Sequence, residues 1–322
     1  MRIVRHPSSL PESARGAAVT IGNFDGVHRG HAAVVGVVAD AARRLEAPLA
    51  VVTFEPHPRR FFRPDDPPFQ LTPLRSKARR FESLGVDTLL VLRFDAAMAR
   101  VPPEAFIDEV LATGLAARHL AIGYDFVFGH DRRGNVGTLE RWARDAGVGF
   151  EIVEPVSGWG ETVFSSTNIR ACLRDGKPGA AAVQLGRCWE IEGRVRQGDR
   201  RGRLLGFPTA NLALADTVRP ALGVYAVWAG IEEDGATVWR PGCANLGIRP
   251  TIGGSVVGLE THVFDFDRDI YGRLLRVALV EYIRPERKFD GLPQLRDQIA
   301  RDSLAARELL AAIGSGDPRA PQ

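Results

Sequence analysis

The stretch Gly22-Asn-Phe-Asp-Gly-Val-His28-Arg-Gly-His31 decides how the first half of this chain folds. It starts in a β-rich run at 19–24 and opens a helix-like segment at 30–45. Ligands of open parallel sheets bind at the carboxyl ends of the strands, where a helix N-terminus presents free amides and a positive dipole to phosphate. Two imidazoles three residues apart would add donors aimed at the same anion. The segment therefore predicts a phosphate site.

The rest of the first half repeats this order of strand followed by helix. Further strands are expected at 50–54, 88–92, 119–123 and 150–156, and further helices at 74–84, 103–111 and 138–146. Alternation of this kind is typical of a parallel sheet covered by helices, with each step a right-handed crossover. We therefore predict a doubly wound α/β nucleotide-binding domain over residues 1–184.

The second half has a different pattern, with alternating β-rich runs and a single helix near its end. The runs lie at 189–195, 223–231, 258–266 and 274–283, and the helix at 292–312. This order predicts an antiparallel β-barrel or sandwich closed by a helix, over residues 185–313. The polar residues 314–322 are expected to be a disordered tail.

Composition limits the classes of function. The 322 residues are 45% apolar and include 42 basic and 39 acidic residues, for a net charge of +3. This near balance gives little support to nucleic-acid binding, and the sequence shows neither a membrane-spanning run nor a signal peptide. Three widely separated cysteines lack metal-ligand spacing. We expect a cytoplasmic protein of two domains, a monomer or a weak homo-oligomer, that binds neither nucleic acid nor membrane.

Residues alone leave the role of the two histidines open. A pair spaced like His28 and His31 is a surface pair or half of a metal site about as often as a phosphate site. Other histidines and cysteines do not stand at metal spacing, and Gly30 between the pair leaves room for a ligand to approach the backbone. This context favours phosphate.

The segment 22–31 resembles the HxGH motif of nucleotidyltransferases, in the form found in bacterial bifunctional riboflavin kinase/FMN adenylyltransferases. Three further segments match that family in order: Phe54-Glu-Pro-His-Pro58, Gly123-Tyr-Asp-Phe-Val-Phe-Gly129 and Ser165-Ser-Thr-Asn-Ile-Arg170. Taken singly, these are also readable as strand core, a rigid turn and a helix N-cap. Four motifs in register make coincidence an unattractive explanation.

The resemblance implies an adenylyltransferase site in the first half. Its catalytic residues would be His28, His31 and Arg170, which act on the ATP phosphates and the departing pyrophosphate. The implied ATP- and phosphate-binding residues are Gly22, Asn23, Phe24, Gly30, Ser166 and Thr167. The implied flavin-side residues are Asp25, Phe54, Pro56, His57, Pro58 and Asp125. Asn168 departs from the family, which often has arginine at that position, and this departure implies adenylyl transfer that is weaker or more dependent on magnesium.

A glycine-rich segment opens the second half at residues 193–212. Its glycines permit close backbone approach and amide nests for phosphate, although a glycine-rich turn with surface arginines is the commoner meaning of such composition. The sequence GFPTAN at 206–211 resembles the signature of the riboflavin kinase fold. By that resemblance Thr209 and Asn211 bind the magnesium of Mg-ATP. The phosphate-binding residues implied here are Gly198, Gly202, Arg203 and Gly206.

Glu260 is the expected general base of the kinase. Its strand alternates Leu259, Thr261 and Val263 against Glu260 and His262. Without the family match, a solvent-facing glutamate beside an apolar face would be the preferred interpretation. Phosphoryl transfer to a hydroxyl needs a proton acceptor, which a carboxylate supplies. Segments 245–251 and 259–272 also match the family, so the resemblance extends from about residue 15 to 310.

The sequence thus predicts one enzyme that phosphorylates riboflavin to FMN and adenylylates FMN to FAD, with ATP as co-substrate and Mg²⁺ as cofactor. One alternative keeps only the kinase active and makes the first half a flavin or nucleotide sensor; Asn168 is its support. Another is a flavin-responsive regulatory or RNA-binding protein, which predicts a basic, aromatic-rich strip that the sequence does not contain. An unrelated adenylyltransferase leaves the second half unexplained.

Overall fold

The chain forms two compact units, Met1–Ser166 and Thr167–Gln322, as defined by internal contacts. The structure is a computed structural model that describes residues 1–158, 162–197, 202, 205–214, 216–251 and 254–314. The contact boundary precedes the predicted limit at 184/185, because the intervening helices pack with the second unit. The domain limits of the sequence analysis stay a prediction. The predicted tail lies, apart from Gly314, outside the described residues.

The N-terminal unit is built on a parallel sheet. Its strands are β1 (Arg2–Val4), β2 (Ala18–Ile21), β3 (Leu49–Glu55), β4 (Thr88–Arg93), β5 (His119–Gly123) and, after a small hairpin of β6 (Val127–Phe128) and β7 (Gly134–Asn135), β8 (Gly149–Val153). Within the described residues of this unit the six sheet strands follow the order β1-β4-β3-β2-β5-β8, and all pair in parallel. The carboxyl ends of β3, β2 and β5 therefore lie side by side.

Helices cover both faces of this sheet. They are α1 (Arg29–Leu45), α2 (Pro58–Phe62), α3 (Leu74–Ser83), α4 (Pro103–Phe106) and α5 (Val136–Ala146). One core holds α1 and α3 against Val51, Leu89 and Val91, and the other packs Phe106 and Leu139 on the opposite face. This confirms the doubly wound layout.

Three predicted elements of this unit differ from the structure by three residues or more. The strand expected at 19–24 ends at Ile21, since Phe24 and Val27 have positive φ angles of 48° and 43°, which extended backbone does not allow. The strand expected at 150–156 ends at Val153. The helix expected at 103–111 changes after Phe106 into a π-helix, Ile107–Gly114. Gly114 permits this wide turn, because a Cβ there would lie 2.9 Å from the Glu109 carbonyl oxygen.

The second unit begins with two short helices and continues as an antiparallel sheet. Its elements are α6 (Ser166–Arg174), α7 (Pro178–Leu185), β9 (Trp189–Arg194), β10 (Ala210–Ala213), β11 (Gly223–Glu233), β12 (Ala236–Thr251), β13 (Gly254–Val263), β14 (Leu274–Arg284) and α8 (Leu292–Ile313). Among its described residues the strands follow the order β10-β13-β12-β11-β14-β9. A bridge between Arg196 and Asn211 joins the two edges of this curled sheet, so the predicted barrel with a closing helix is confirmed.

The inner face of the barrel is apolar, and its outer face is partly covered by α8. Leu212, Leu259 and Leu246 are side by side on β10, β13 and β12 and at most 2% exposed. On the outer face, α8 packs Ala306 and Leu310 into a cluster with Trp228. None of the helices in the described ranges has the length and apolar character needed to cross a membrane.

Candidate active sites

The parallel order brings three of the sequence motifs to one edge of the N-terminal sheet. The loop at 22–28 follows β2, the segment 56–58 follows β3, and Asp125 lies just beyond β5. Because β2 lies between β3 and β5, all three face the same edge, where ligands of such sheets bind. The structure therefore collects these motifs as the sequence predicts.

His28 and His31 form a stacked pair at the start of α1. Their ring centroids are 3.6 Å apart, and His28 is the N-cap, with Nδ1 accepting the backbone N–H of His31 at 3.4 Å. Since Nδ1 is the acceptor, a neutral His28 ring carries its proton on Nε2 and donates from there. Gly30 leaves room for this arrangement, because a Cβ there would be 3.1 Å from the His28 ring.

The loop that precedes the histidine pair is attached to the core by a buried aspartate. Asp25 is 2% exposed, and its Oδ1 accepts the backbone N–H groups of Leu71 at 2.7 Å and Thr72 at 3.2 Å. Phe24 is also buried, with its ring edge-on to His31 at 5.2 Å. Both residues thus support the histidine pair from the core, and their direct contact with ligand remains a prediction.

Replacing Asp25 by alanine is expected to lower the free energy of unfolding by about 3 kcal/mol, because two buried amides lose their acceptor. Asp25→Asn keeps an acceptor oxygen at the same place and should lose much less. Urea unfolding of the two variants and the wild type measures the difference. Equal losses in both variants would contradict this explanation and assign the stabilisation to the negative charge.

Lys77 is a buried lysine beneath the same loop that sequence reasoning did not single out. Its side chain is 0% exposed, and Nζ donates to the Asn23 carbonyl at 2.9 Å and lies 3.9 Å from Glu55 Oε2. Burial lowers the pKa of Lys77, while Glu55 and Asp25 act in the opposite direction. In the sequence, Lys77 is one of several basic residues in an amphipathic helix, and nothing in the local pattern distinguishes it from the others.

A cleft of about 490 Å³ also opens at this edge of the sheet, beside Pro56. Its other lining residues are Arg5, His6, Glu55, Val91 and Arg93. Arg5 and His6 follow β1, Glu55 ends β3, and Val91 and Arg93 belong to the last three residues of β4. These three strands are neighbours in the sheet. Pro56 is the one predicted flavin-side residue among them.

The remaining flavin-side residues differ in exposure. Phe54 is 8% exposed and packs against Phe94 and Phe106, so it belongs to the core. His57 is the N-cap of α2, with Nδ1 accepting the Arg59 N–H at 3.1 Å, and Pro58 is the first residue of that helix. Asp125 is exposed. Their contact with flavin stays a prediction.

The motif at 165–170 lies at the start of α6. Ser166 ends the N-terminal unit, and its hydroxyl donates to the Asp25 carbonyl at 2.7 Å. Thr167 and Arg170 lie in the first turns of the helix, within the second unit. The predicted phosphate contacts of these residues are not tested by this geometry and stay predictions.

The kinase motif forms a compact turn before β10. The backbone N–H of Phe207 donates to the Gly202 carbonyl at 2.8 Å, and Gly206 has a φ of 87°, which favours glycine. A Cβ on Gly202 would overlap the Phe207 carbonyl oxygen. Both glycines are thus required by the turn. The other two predicted phosphate-binding residues of this half, Gly198 and Arg203, lie outside the described residues.

Asn211 and Glu260 are direct cross-strand partners on β10 and β13. Asn211 Nδ2 donates to the Thr209 carbonyl at 3.4 Å, which keeps the motif folded onto the strand end. Leu259 and Thr261 point inward and are 0% exposed, whereas Glu260 lies on the opposite, partly exposed face. The structure therefore places the predicted base beside a predicted magnesium ligand.

His262 fixes the Pro208 carbonyl in this motif. Its Nδ1 is 2.9 Å from the Pro208 oxygen, and because a carbonyl oxygen only accepts, Nδ1 carries the proton. Burial is the main cause that lowers the pKa of His262; the Pro208 hydrogen bond and Asp265 raise it, and Arg307 lowers it.

The lowered pKa of His262 predicts acid sensitivity. Below pH 6.5 the unfolded chain protonates this histidine before the folded protein does, so stability falls as pH decreases through that window. His262→Gln retains a donor for the Pro208 carbonyl and should reduce this loss. Urea unfolding at pH 7.5 and 5.5 measures the difference, and an unchanged pH dependence in the variant would contradict the prediction.

Comparison with known proteins assigns a family to each half. The FAD synthetase family model matches residues 10–168, and the riboflavin kinase family model matches residues 185–310. A curated bifunctional riboflavin kinase/FMN adenylyltransferase from Escherichia coli K12 is 40% identical over 96% of this chain and 97% of its own length. One from Pseudomonas fluorescens is 40% identical over 97% and 98%, and one from Bacillus subtilis 36% over 94% and 96%.

A solved structure shows the same fold. It is described as a macrolide-efflux protein from Streptococcus pneumoniae, and it matches 95% of this chain and 98% of its own with a TM-score of 0.84 at 30% identity.

Fold, motifs and relatives together define a two-domain ATP-dependent flavin transferase, with the nucleotidyltransferase unit first and the kinase unit second. The chain belongs to the family of bifunctional riboflavin kinase/FMN adenylyltransferases. The predicted family, enzyme class and order of the two activities are thereby confirmed.

Proposed function

We propose that the C-terminal unit phosphorylates riboflavin with Glu260 as general base, and that the N-terminal unit adenylylates the resulting FMN at the His28–His31 pair. The observation that carries the proposal is the direct cross-strand pairing of Glu260 with Asn211 below the GFPTAN turn. Family membership supports the substrates riboflavin, FMN and ATP. The roles of the individual residues are inferred from the chemistry below.

In the kinase unit, Glu260 accepts the proton of the ribityl hydroxyl as its oxygen attacks the γ-phosphorus of ATP. ADP leaves with the electrons of the broken bond. The hydroxyl of Thr209 and the amide oxygen of Asn211 are oxygen donors of the type that Mg²⁺ prefers, and such an ion commonly has few protein ligands beside substrate phosphates. When bound, Mg²⁺ neutralises charge on the transferring phosphate. Thr209 and Asn211 fit that role by donor type.

In the adenylyltransferase unit, a phosphate oxygen of FMN attacks the α-phosphorus of ATP, and pyrophosphate leaves. No covalent enzyme intermediate is needed, so catalysis is positioning and charge stabilisation. His28 and His31 donate hydrogen bonds to the phosphates at the N-terminus of α1, where the helix dipole adds to the attraction. Arg170, Ser166 and Thr167 complete the proposed phosphate contacts.

Because both reactions consume ATP, the proposal places the protein in the cytoplasm. Its partners are then the small molecules riboflavin, FMN and ATP. A monomer or weak homo-oligomer remains the predicted state.

A time course with purified protein, riboflavin, ATP and Mg²⁺ tests the proposal. Chromatography should show FMN appearing first and FAD second. FMN without FAD would restrict the activity to the kinase unit, and the absence of both products would refute the proposal.

A further inference from the structure

Glu260 lies between two asparagines on the outer face of the barrel. Asn211 on β10 is its direct partner on one side, and Asn245 on β12 is its direct partner on the other. Side chains of such partners have Cβ atoms about 5 Å apart and interact. Asn211 already has an assigned role in the proposed function, whereas Asn245 has none.

Asn245 is held by a second carboxylate. Its Nδ2 donates to Oε1 of Glu286 at 3.1 Å. An amide nitrogen has two hydrogens, so Nδ2 can donate to Glu286 and to a neighbouring group at once. The bond to Glu286 also fixes the orientation of the amide. Turned over, the amide would present Oδ1 to the Glu286 carboxylate, and an oxygen repels a carboxylate.

The Glu286 carboxylate fits against the strand because residue 247 is a glycine. It lies over Gly247, which shares the outer face with Asn245, and a Cβ on Gly247 would overlap it. Gly247 has no positive φ, so its backbone tolerates alanine. The same Cβ would lie 3.0 Å from Asn245 Nδ2. The absence of a side chain at this position therefore matters for the bond between the amide and the carboxylate and not for the strand conformation.

The segment that contains Glu286 is clamped on both sides to α8. Before it, Arg284 makes a bidentate ion pair with the buried carboxylate of Asp302, with Nη2 to Oδ2 at 2.6 Å and Nε to Oδ1 at 2.9 Å. After it, the guanidinium of Arg287 bonds Oε1 of Gln298. Two anchors at such close spacing leave the backbone of Glu286 little freedom to move away from Asn245.

We propose that Glu286, acting through Asn245, positions the carboxylate of Glu260 for riboflavin phosphorylation. This inference rests on the proposed role of Glu260 as the base. Glu286 and Asn245 are positioning residues: Glu286 fixes the amide, and the amide fixes the carboxylate next to the attacking hydroxyl. Small displacements of a reacting group lower rates by as much as about 100-fold.

Two variants test the proposal by disrupting the same hydrogen bond between Asn245 and Glu286 in different ways. Glu286→Ala removes the acceptor, and Gly247→Ala displaces it while every polar group is kept. Each is expected to lower kcat for riboflavin phosphorylation about 10- to 100-fold and to change KM for riboflavin and ATP by less than about 3-fold, because substrate contacts are untouched. Glu286→Gln retains an acceptor oxygen and should recover most of kcat.

The double variant Gly247→Ala/Glu286→Ala makes the test specific. Its kcat should be close to that of Glu286→Ala and well above the value that multiplying the two single losses would give, since both changes act on the same hydrogen bond. FAD formation from supplied FMN reports on the other unit and should be unchanged throughout. Glu308→Ala removes an exposed carboxylate from α8 and serves as a matched control with normal kcat.

Three results would overturn the inference: a wild-type kcat in Glu286→Ala, multiplicative losses in the double variant, or a change in KM alone. Glu260→Gln, measured in parallel, separates this failure from failure of the proposed function. If Glu260→Gln keeps normal kcat, the base is wrongly assigned. If it loses kcat and Glu286→Ala does not, the positioning role alone is wrong.

Discussion

Glu260→Gln should lower kcat for riboflavin phosphorylation by about 10²- to 10⁴-fold, the range that a general base contributes. Glutamine has the same shape and can still hydrogen-bond its neighbours, but its amide does not accept the hydroxyl proton at neutral pH. Since the inner-facing neighbours Leu259 and Thr261 form the core contacts of this strand, the fold should be retained. FMN formation, followed by chromatography at saturating ATP, measures the effect.

The same protein contains the control for this experiment. Glu260→Gln should convert supplied FMN to FAD at the normal rate, because the change lies in the other unit. Glu232→Gln, an exposed glutamate on β11, should leave kcat unchanged. A Glu260→Gln variant with nearly normal kcat would show that the attacking hydroxyl gives its proton to another group or directly to solvent.

The sequence predicted the N-terminal sheet more fully than the barrel. Strands buried on both faces, such as β3 and β4, read as continuous apolar runs that end near glycine or charged residues. In the second unit the sequence analysis missed β10 and the long strand β12. β12 contains Pro241, Gly242 and Gly247, and proline and glycine usually interrupt strands. Pairing with β11 and β13 along most of its length overrides that local preference.

The candidate sites were predictable where a motif is local and unpredictable where it is assembled from distant parts. The HxGH spacing alone indicates that His28 and His31 share a helix turn. By contrast, Asp25 bonds amides 46 and 47 residues away, and Asn245 bonds Glu286 across 41 residues. Such contacts depend on strand order and register, which single residues do not encode. Phe24 and Phe54 are a further example: their places in the motifs did not indicate that both side chains are buried.

His28→Asn should reduce FAD formation from FMN by about 10²- to 10³-fold, the usual cost of removing one preorganised donor to developing charge. Asparagine is a strong N-cap and can accept the His31 N–H as His28 Nδ1 does, so the stability of α1 should be retained. His28→Ala should lose the same activity and, in addition, about 1 kcal/mol of stability from the missing cap. Comparing these two variants separates the catalytic role of the imidazole from its structural one.

FMN should accumulate in both His28 variants, because riboflavin phosphorylation takes place in the other unit and continues. His31→Ala is expected to give the same block, since the stacked ring contributes the second donor at the same helix end. Thermal unfolding shows whether the Asn variant has kept the cap. If His28→Asn is stable and still makes FAD at the normal rate, then His28 only caps α1. In that case the helix amides and His31 stabilise the phosphate charge, and His28 does not contribute.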